Sequence, residues 1–122
     1  MTRSNRMPIN IHEYLRKNVK STNLKLYNLG LISVPPDIKT LAQLEELDLS
    51  SNFLKTIPAE IGELKKLRRL LLRDNLIDYL PRQIANLNHL QEIGLGKNQL
   101  TKLPPCVFEM QGLEVLHADE NN

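Results

Sequence analysis

Apolar residues return along this chain at a spacing of 23 positions, and comparing the chain with itself at that period organises the rest of the sequence. In the unit 44–66 the pattern runs Leu44, Leu47, Leu49, Asn52, Leu54, Ile57, Pro58, Ile61 and Leu64. The unit 67–89 repeats it as Leu67, Leu70, Leu72, Asn75, Ile77, Leu80, Pro81, Ile84 and Leu87, and the unit 90–112 as Leu90, Ile93, Leu95, Asn98, Leu100, Leu103, Pro104, Val107 and Met110. An earlier unit, 21–43, keeps Leu24, Leu26, Leu31, Val34, Pro35, Ile38 and Leu41, and a half unit, 113–122, holds Leu113, Leu116, Ala118 and Asn121. No single unit can bury its own apolar face, so the units stack into one continuous core.

Within a unit, leucines alternating with polar residues at period two predict a short strand whose leucines face inward. The asparagine after it turns the chain. Its amide donates twice and its carbonyl accepts, so Asn52, Asn75, Asn98 and Asn121 form a ladder that satisfies the backbone of the turns. Beyond the ladder, Pro58, Ile61, Leu64 and Leu67 are spaced by three, which predicts a 3₁₀-like or short helical return on the convex side with proline in its first turn.

The two ends depart from the pattern. The first unit has Leu29 and Gly30 where the ladder asparagine belongs, so its turn is expected to differ and the ladder to begin one unit later. Upstream, Asn10 N-caps a predicted helix with Glu13 at the capping-box position, and Ile11, Leu15 and Val19 recur every four residues on one face. That helix is expected to cover the first unit. At the other end, Leu113, Leu116 and Ala118 are followed by no comparable cap, which points to packing of two copies there, a frayed terminus, or a fragment of a longer protein.

The units match the pattern LxxLxLxxNxLxxLPxxIxxL, and over residues 21–122 the chain resembles the 23-residue intracellular class of leucine-rich repeats found in Ras-suppressor and Scribble-type scaffolds and in many bacterial proteins. The resemblance implies an α/β solenoid in a short horseshoe arc: a concave parallel sheet of about five strands, short 3₁₀ or helical convex segments, and an N-terminal capping helix. It implies a protein-binding function and names no partner, because the variable positions carry specificity. The organisation expected is a basic arm and capping helix over 1–20, then repeats over 21–122.

Reading the repeats in columns puts Asn23, Glu46, Arg69, Glu92 and Val115 side by side on the concave face. The next columns read Lys25, Asp48, Leu71, Gly94, His117 and then Tyr27, Ser50, Arg73, Gly96, Asp119. Glutamates 45 and 46 lie beside arginines 68 and 69, which allows cross-strand ion pairs worth about 0 to 1 kcal/mol each when exposed. Arg68, Arg69 and Arg73 around Leu71, with bare Gly94 and Gly96 next to them, form the expected contact centre. The candidate partner-binding residues are Glu45, Glu46, Asp48, Arg68, Arg69, Leu71, Arg73, Glu92 and His117, and Phe53, Leu76 and Tyr79 extend the patch along one edge. Five strands span roughly 20 Å, so the face falls below the ~800 Å² per partner of a standard interface.

Composition narrows the function classes. Aromatic residues make up 4% of the chain and tryptophan is absent, so layers of aliphatic side chains fill the core. A net charge of +2, with both signs interleaved, gives no sustained field for nucleic acid. The exception is the N-terminus, where Arg3, Arg6, Arg16, Lys17 and Lys20 face Glu13 alone, read as a solvated basic end. A single cysteine, Cys106, excludes an intrachain disulfide, and no apolar run suits a signal peptide or membrane span, so a cytoplasmic protein is expected.

Catalysis would have to use His12, His89, His117 and Cys106. His12 belongs to the helix and His89 to a convex segment, away from His117. Cys106 aligns with Asp37, Glu60 and Gln83 in a column expected to be exposed, with no histidine beside it. His117, Asp119 and Glu92 share a strand face but match no established metal site in spacing or ligand number, and no phosphate-binding glycine loop occurs. The expectation is therefore no catalysis, metal or cofactor. The alternatives kept are a recognition part of a larger enzyme or effector, and self-association as a homodimer through the C-terminal edge.

Overall fold

The computed structural model describes residues 10–121; Arg3 and Arg6 of the basic arm, and Asn122, lie outside them. One helix, α1 (Ile11–Lys17), precedes five strands: β1 (Asn23–Lys25), β2 (Glu46–Asp48), β3 (Arg69–Leu71), β4 (Glu92–Gly94) and β5 (Val115–His117). The strands form one parallel sheet in sequence order. Its register advances by 23 at every step, pairing Leu24 with Leu47, Leu47 with Leu70, Leu70 with Ile93 and Ile93 with Leu116. Inward residues therefore stack on inward residues, and one unbroken aliphatic core runs through the stack. No helix among the described residues is long and apolar enough to cross a membrane.

The return segments are single 3₁₀ turns over Pro36–Thr40, Ala59–Glu63, Arg82–Asn86 and Pro105–Glu109. Pro35, Pro58, Pro81 and Pro104 stand one residue earlier than expected, at the capping position before each turn. With φ fixed and ψ extended, each offers its carbonyl to the N–H three residues on, at Ile38, Ile61, Ile84 and Val107. Successive turns pack closely. A Cβ on Gly62 would meet the carbonyl oxygen of Gln83 at 2.5 Å, so only glycine fits between the second and third turns.

The asparagine ladder is complete from Asn52 onward. The Asn75 amide donates to the carbonyls of Leu49 and Leu72 at 3.0 and 3.1 Å, and its Oδ1 accepts from the Leu54 N–H at 3.0 Å. Asn98 and Asn121 repeat this on the next units. In the first unit, Asn52 Oδ1 accepts from both Leu29 and Leu31, so the second unit's asparagine closes the turn that lacks its own. A feature the sequence pattern did not reveal accompanies the ladder: Asn28, Ser51, Asp74, Lys97 and Glu120 all have φ of 52–61°. Asparagine and aspartate tolerate this left-handed region better than serine, lysine or glutamate. The amides of Asn52, Asn75 and Asn98 impose it by also donating to the carbonyls of Ser50, Arg73 and Gly96, just before the left-handed residue.

Helix α1 covers the first repeat, with two departures from expectation. Asn10 caps it, accepting from His12 and Glu13 N–H at 2.8 and 3.4 Å. Glu13 pairs forward with Lys17 at 3.4 Å through its carboxylate. Val19 lies beyond the helix and is exposed, because the Asn18 side chain donates to the Tyr14 carbonyl and its N–H to Leu15, closing the last turn before it. Leu15 is buried, with Ile11 and Tyr14 partly buried beside it. His12 Nδ1 meets Asp37 Oδ2 at 2.6 Å, pinning the helix to the first 3₁₀ turn.

At the far end the core opens. Leu116 is 37% exposed, whereas Leu47, Leu70 and Ile93 in the same column are 0% exposed.

Candidate partner-binding surface

Alternation along each strand sends the polar residue of every pair outward, so the 23-residue register builds the three concave columns in the order the sequence implies. The ion pairs then form along the columns. Arg69 lies between Glu46 and Glu92, with its Nη1 3.0 Å from Glu46 Oε2 and its Nε 2.9 Å from Glu92 Oε1. Those hydrogen bonds, to Glu92 first and Glu46 next, hold its guanidinium even more firmly charged than usual. Glu92 also reaches His117 Nε2, at 3.2 Å. The row Glu46, Arg69, Glu92, His117 thus links four consecutive strands.

Arg73 behaves differently. Its guanidinium crosses over Gly96 to Asp119 at 3.2 Å and Glu120 at 2.9 Å, two units further on. The missing side chain at Gly96 is what makes room, since a Cβ there would meet the Arg73 guanidinium and Asp119 Oδ1. The hydrogen bond from Arg73 holds the Asp119 carboxyl below the usual aspartate range.

Two sequence expectations change in consequence. Arg69 and Arg73 lie along the sheet, each bound to two carboxylates, and do not project as free cations around Leu71. Glu45 and Arg68 do not join them. They stand just before β2 and β3 and line a separate, wide hollow of about 480 Å³ with Lys66, Asn88 and His89. What the fold does gather is a concave hollow of about 270 Å³ bounded by Ser50, Leu71, Arg73, Gly94, Gly96, His117 and Asp119. Glu46, Asp48 and Glu92 flank it in the register. Phe53 and Tyr79 are exposed at 38% and 58%.

Among the described residues, no group of three or more His, Cys, Asp or Glu side chains is placed to hold a metal ion. Asp119, which shares a face with His117, is taken up by Arg73. Cys106 is buried, contrary to the expected exposed column, because the last 3₁₀ turn lays it against the core beside Val107. Burial pushes its thiol pKa up, away from the thiolate that nucleophilic chemistry requires.

A family model for the leucine rich repeat matches residues 22–77. Among solved structures, the chain is similar to a leucine-rich repeat protein of Leptospira interrogans, with 30% identity and a TM-score of 0.65 over 81% of this chain and 31% of that one. It is also similar to PEPR1 in the crystal structure of PEPR1–AtPEP1, with 30% identity and a TM-score of 0.73 over 83% of this chain and 15% of that one. The chain therefore spans under a third of either protein's length. Because 183 solved chains match in all, the likeness selects no particular partner. No curated protein matches the chain.

Proposed function

This chain is a leucine-rich repeat protein, and on that footing we propose that it is a non-catalytic protein-interaction module that binds a protein partner through the concave face of its sheet. Glu46, Asp48, Arg69, Leu71, Arg73, Glu92 and His117 make the contact surface, with Glu45 and Arg68 on its flank. The observation that carries this reading is the concave hollow itself. Leu71 stays partly exposed there at the middle of the sheet, surrounded by side chains already fixed by ion pairs. A surface ordered before binding loses little side-chain freedom when a partner docks. The family supports the same reading in general terms, since its members are typically interaction modules. One lone, buried cysteine suits a reducing compartment, and we place the protein in the cytoplasm on that ground.

The test is affinity purification with mass spectrometry, comparing the wild type with an Arg69→Glu/Leu71→Glu variant shown by circular dichroism to be folded. Loss of the captured proteins in the variant is the expected result. Retention of all of them rejects the concave face.

One observation favours a second reading, self-association through β5. Leu116 belongs to a core column yet is exposed. The Val115 N–H and the His117 and Asp119 carbonyls bond back toward β4, so the alternating groups of Leu116 and Ala118 face the open edge. An antiparallel copy centred on Leu116 would pair Leu116 with itself and Glu114 with Ala118, with no like charges directly opposite. Sedimentation showing a monomer at high concentration removes this reading.

A further inference from the structure

We propose that the concave hollow is a side-chain socket floored by Gly94, which receives one aliphatic or aromatic residue of a partner segment whose neighbouring residues are cationic. This rests on the reading that the concave face binds protein, and it names the kind of partner.

Gly94 has no structural need to be glycine. Its column holds Lys25, Asp48, Leu71 and His117 in the other strands, all with side chains. A Cβ on Gly94 would sit 3.6 Å from Leu71 Cδ2 and 3.8 Å from Leu71 Cα, which is ordinary van der Waals contact. Among the described residues, Gly30 is the glycine with a positive φ, so the backbone at Gly94 is one any residue adopts. Glycine inside a strand weakens a sheet, and its presence often marks close approach by another chain or ligand. Gly96 is the contrasting case, since Arg73 and Asp119 already fill the space above it. Removing the side chain at position 94 therefore opens a space that the protein itself does not use.

The size and lining of that space indicate its occupant. At about 270 Å³ it falls below the range of small-molecule pockets, roughly 300–1,000 Å³, and suits a single side chain. Its floor is Leu71 and glycine backbone, which favours an apolar group. Its surroundings are acidic: Glu46, Asp48, Glu92, Asp119 and Glu120 are five carboxylates against the three cations Arg69, Arg73 and Lys25, the last beside Asp48 in the register, leaving two negative charges. His117, if protonated, cancels one. Lysine or arginine beside the inserted residue complements that charge, and an acidic partner is repelled.

The experiment is selection of a phage-displayed random peptide library on the immobilised wild-type protein. Selected peptides are then titrated against the wild type, Gly94→Ala, Gly94→Leu and Leu71→Glu, each with its fold verified by circular dichroism. The expected peptides carry an apolar residue flanked by lysine or arginine and bind less tightly as salt is raised. Gly94→Leu is expected to weaken them about tenfold or more, Gly94→Ala by less, and neither to lower thermal stability. Enrichment of acidic peptides or of none, or equal binding to wild type and Gly94→Leu, overturns the socket. Peptides lost with Leu71→Glu but kept by Gly94→Leu overturn the socket while leaving the concave-face reading in place. Peptides indifferent to both sink both.

Discussion

Asn75 uses both amide hydrogens and its carbonyl on backbone groups of two adjacent units, and it is buried. Replacing it with alanine strands the Leu54 N–H away from water, at about 1–3 kcal/mol for a buried group left unsatisfied, while the Leu49 and Leu72 carbonyls each keep a donor, from Asn52 and Asn98. Asn75→Ala should therefore cost about 1–3 kcal/mol in urea unfolding. Asn121→Ala, at the half-exposed end where water replaces the amide, should cost clearly less, and equal losses would contradict the ladder account. Charged residues contribute a smaller, pH-dependent part. The hydrogen bond from His12 holds the Asp37 carboxyl below the ordinary aspartate value of 3.8, and that from Arg73 does the same for Asp119. Below pH 3.8 the unfolded chain binds protons at these sites that the folded chain still rejects, so stability falls with pH in that window and is complete above it. Urea midpoints for wild type and a His12→Ala/Arg73→Ala variant should converge as the pH is lowered through that window.

At the scale of elements, the capping helix shows how little sequence is needed to close one end of a solenoid. Seven residues suffice, because Leu15 inserts into the end of the core and the His12–Asp37 contact fixes the angle. Truncating Leu15 to alanine should cost about 2–5 kcal/mol, as for other buried leucines. Val19→Ala should stay within about 0.5 kcal/mol, as for exposed sites. Thermal unfolding compares the two directly, and a costly Val19→Ala would put Val19 back on the helical face. The 3₁₀ turns follow a similar economy. Proline stands before each turn, and the second turn packs on the third closely enough to exclude even a methyl group at Gly62.

For the whole molecule, the strands, turns and helix pack on their neighbours, with the Arg73 side chain reaching one unit further, so stability is close to a sum of units and their interfaces. The middle units have two neighbours, the first has the helix, and β5 has only β4. Hydrogen exchange should therefore be slowest at the amides of Leu49 and Leu72 and fastest at the edge-facing amides of Leu116 and Ala118. Protection at Leu116 equal to that at Leu49 would mean that the open edge is covered, as self-association through β5 requires. The same arrangement gives the concave face its rigidity, since the row from Glu46 to His117 ties four strands together above the core.

The repeat spacing by itself determined the fold, the register, the ladder and the membership of each concave column, because a fixed 23-residue period leaves one way to stack the leucines. It placed Leu71, Arg69 and Arg73 near one another for the same reason. It left undecided where the long side chains lie, because an arginine reaches across one or two strands and its direction depends on which carboxylates stand there. Tertiary structure decided that Arg69 stays between its two neighbours, that Arg73 passes over Gly96 to Asp119, and that Arg68 faces a different hollow. It also separated two glycines that look alike in sequence: Gly96 makes room for the protein's own arginine, and Gly94 leaves its space open.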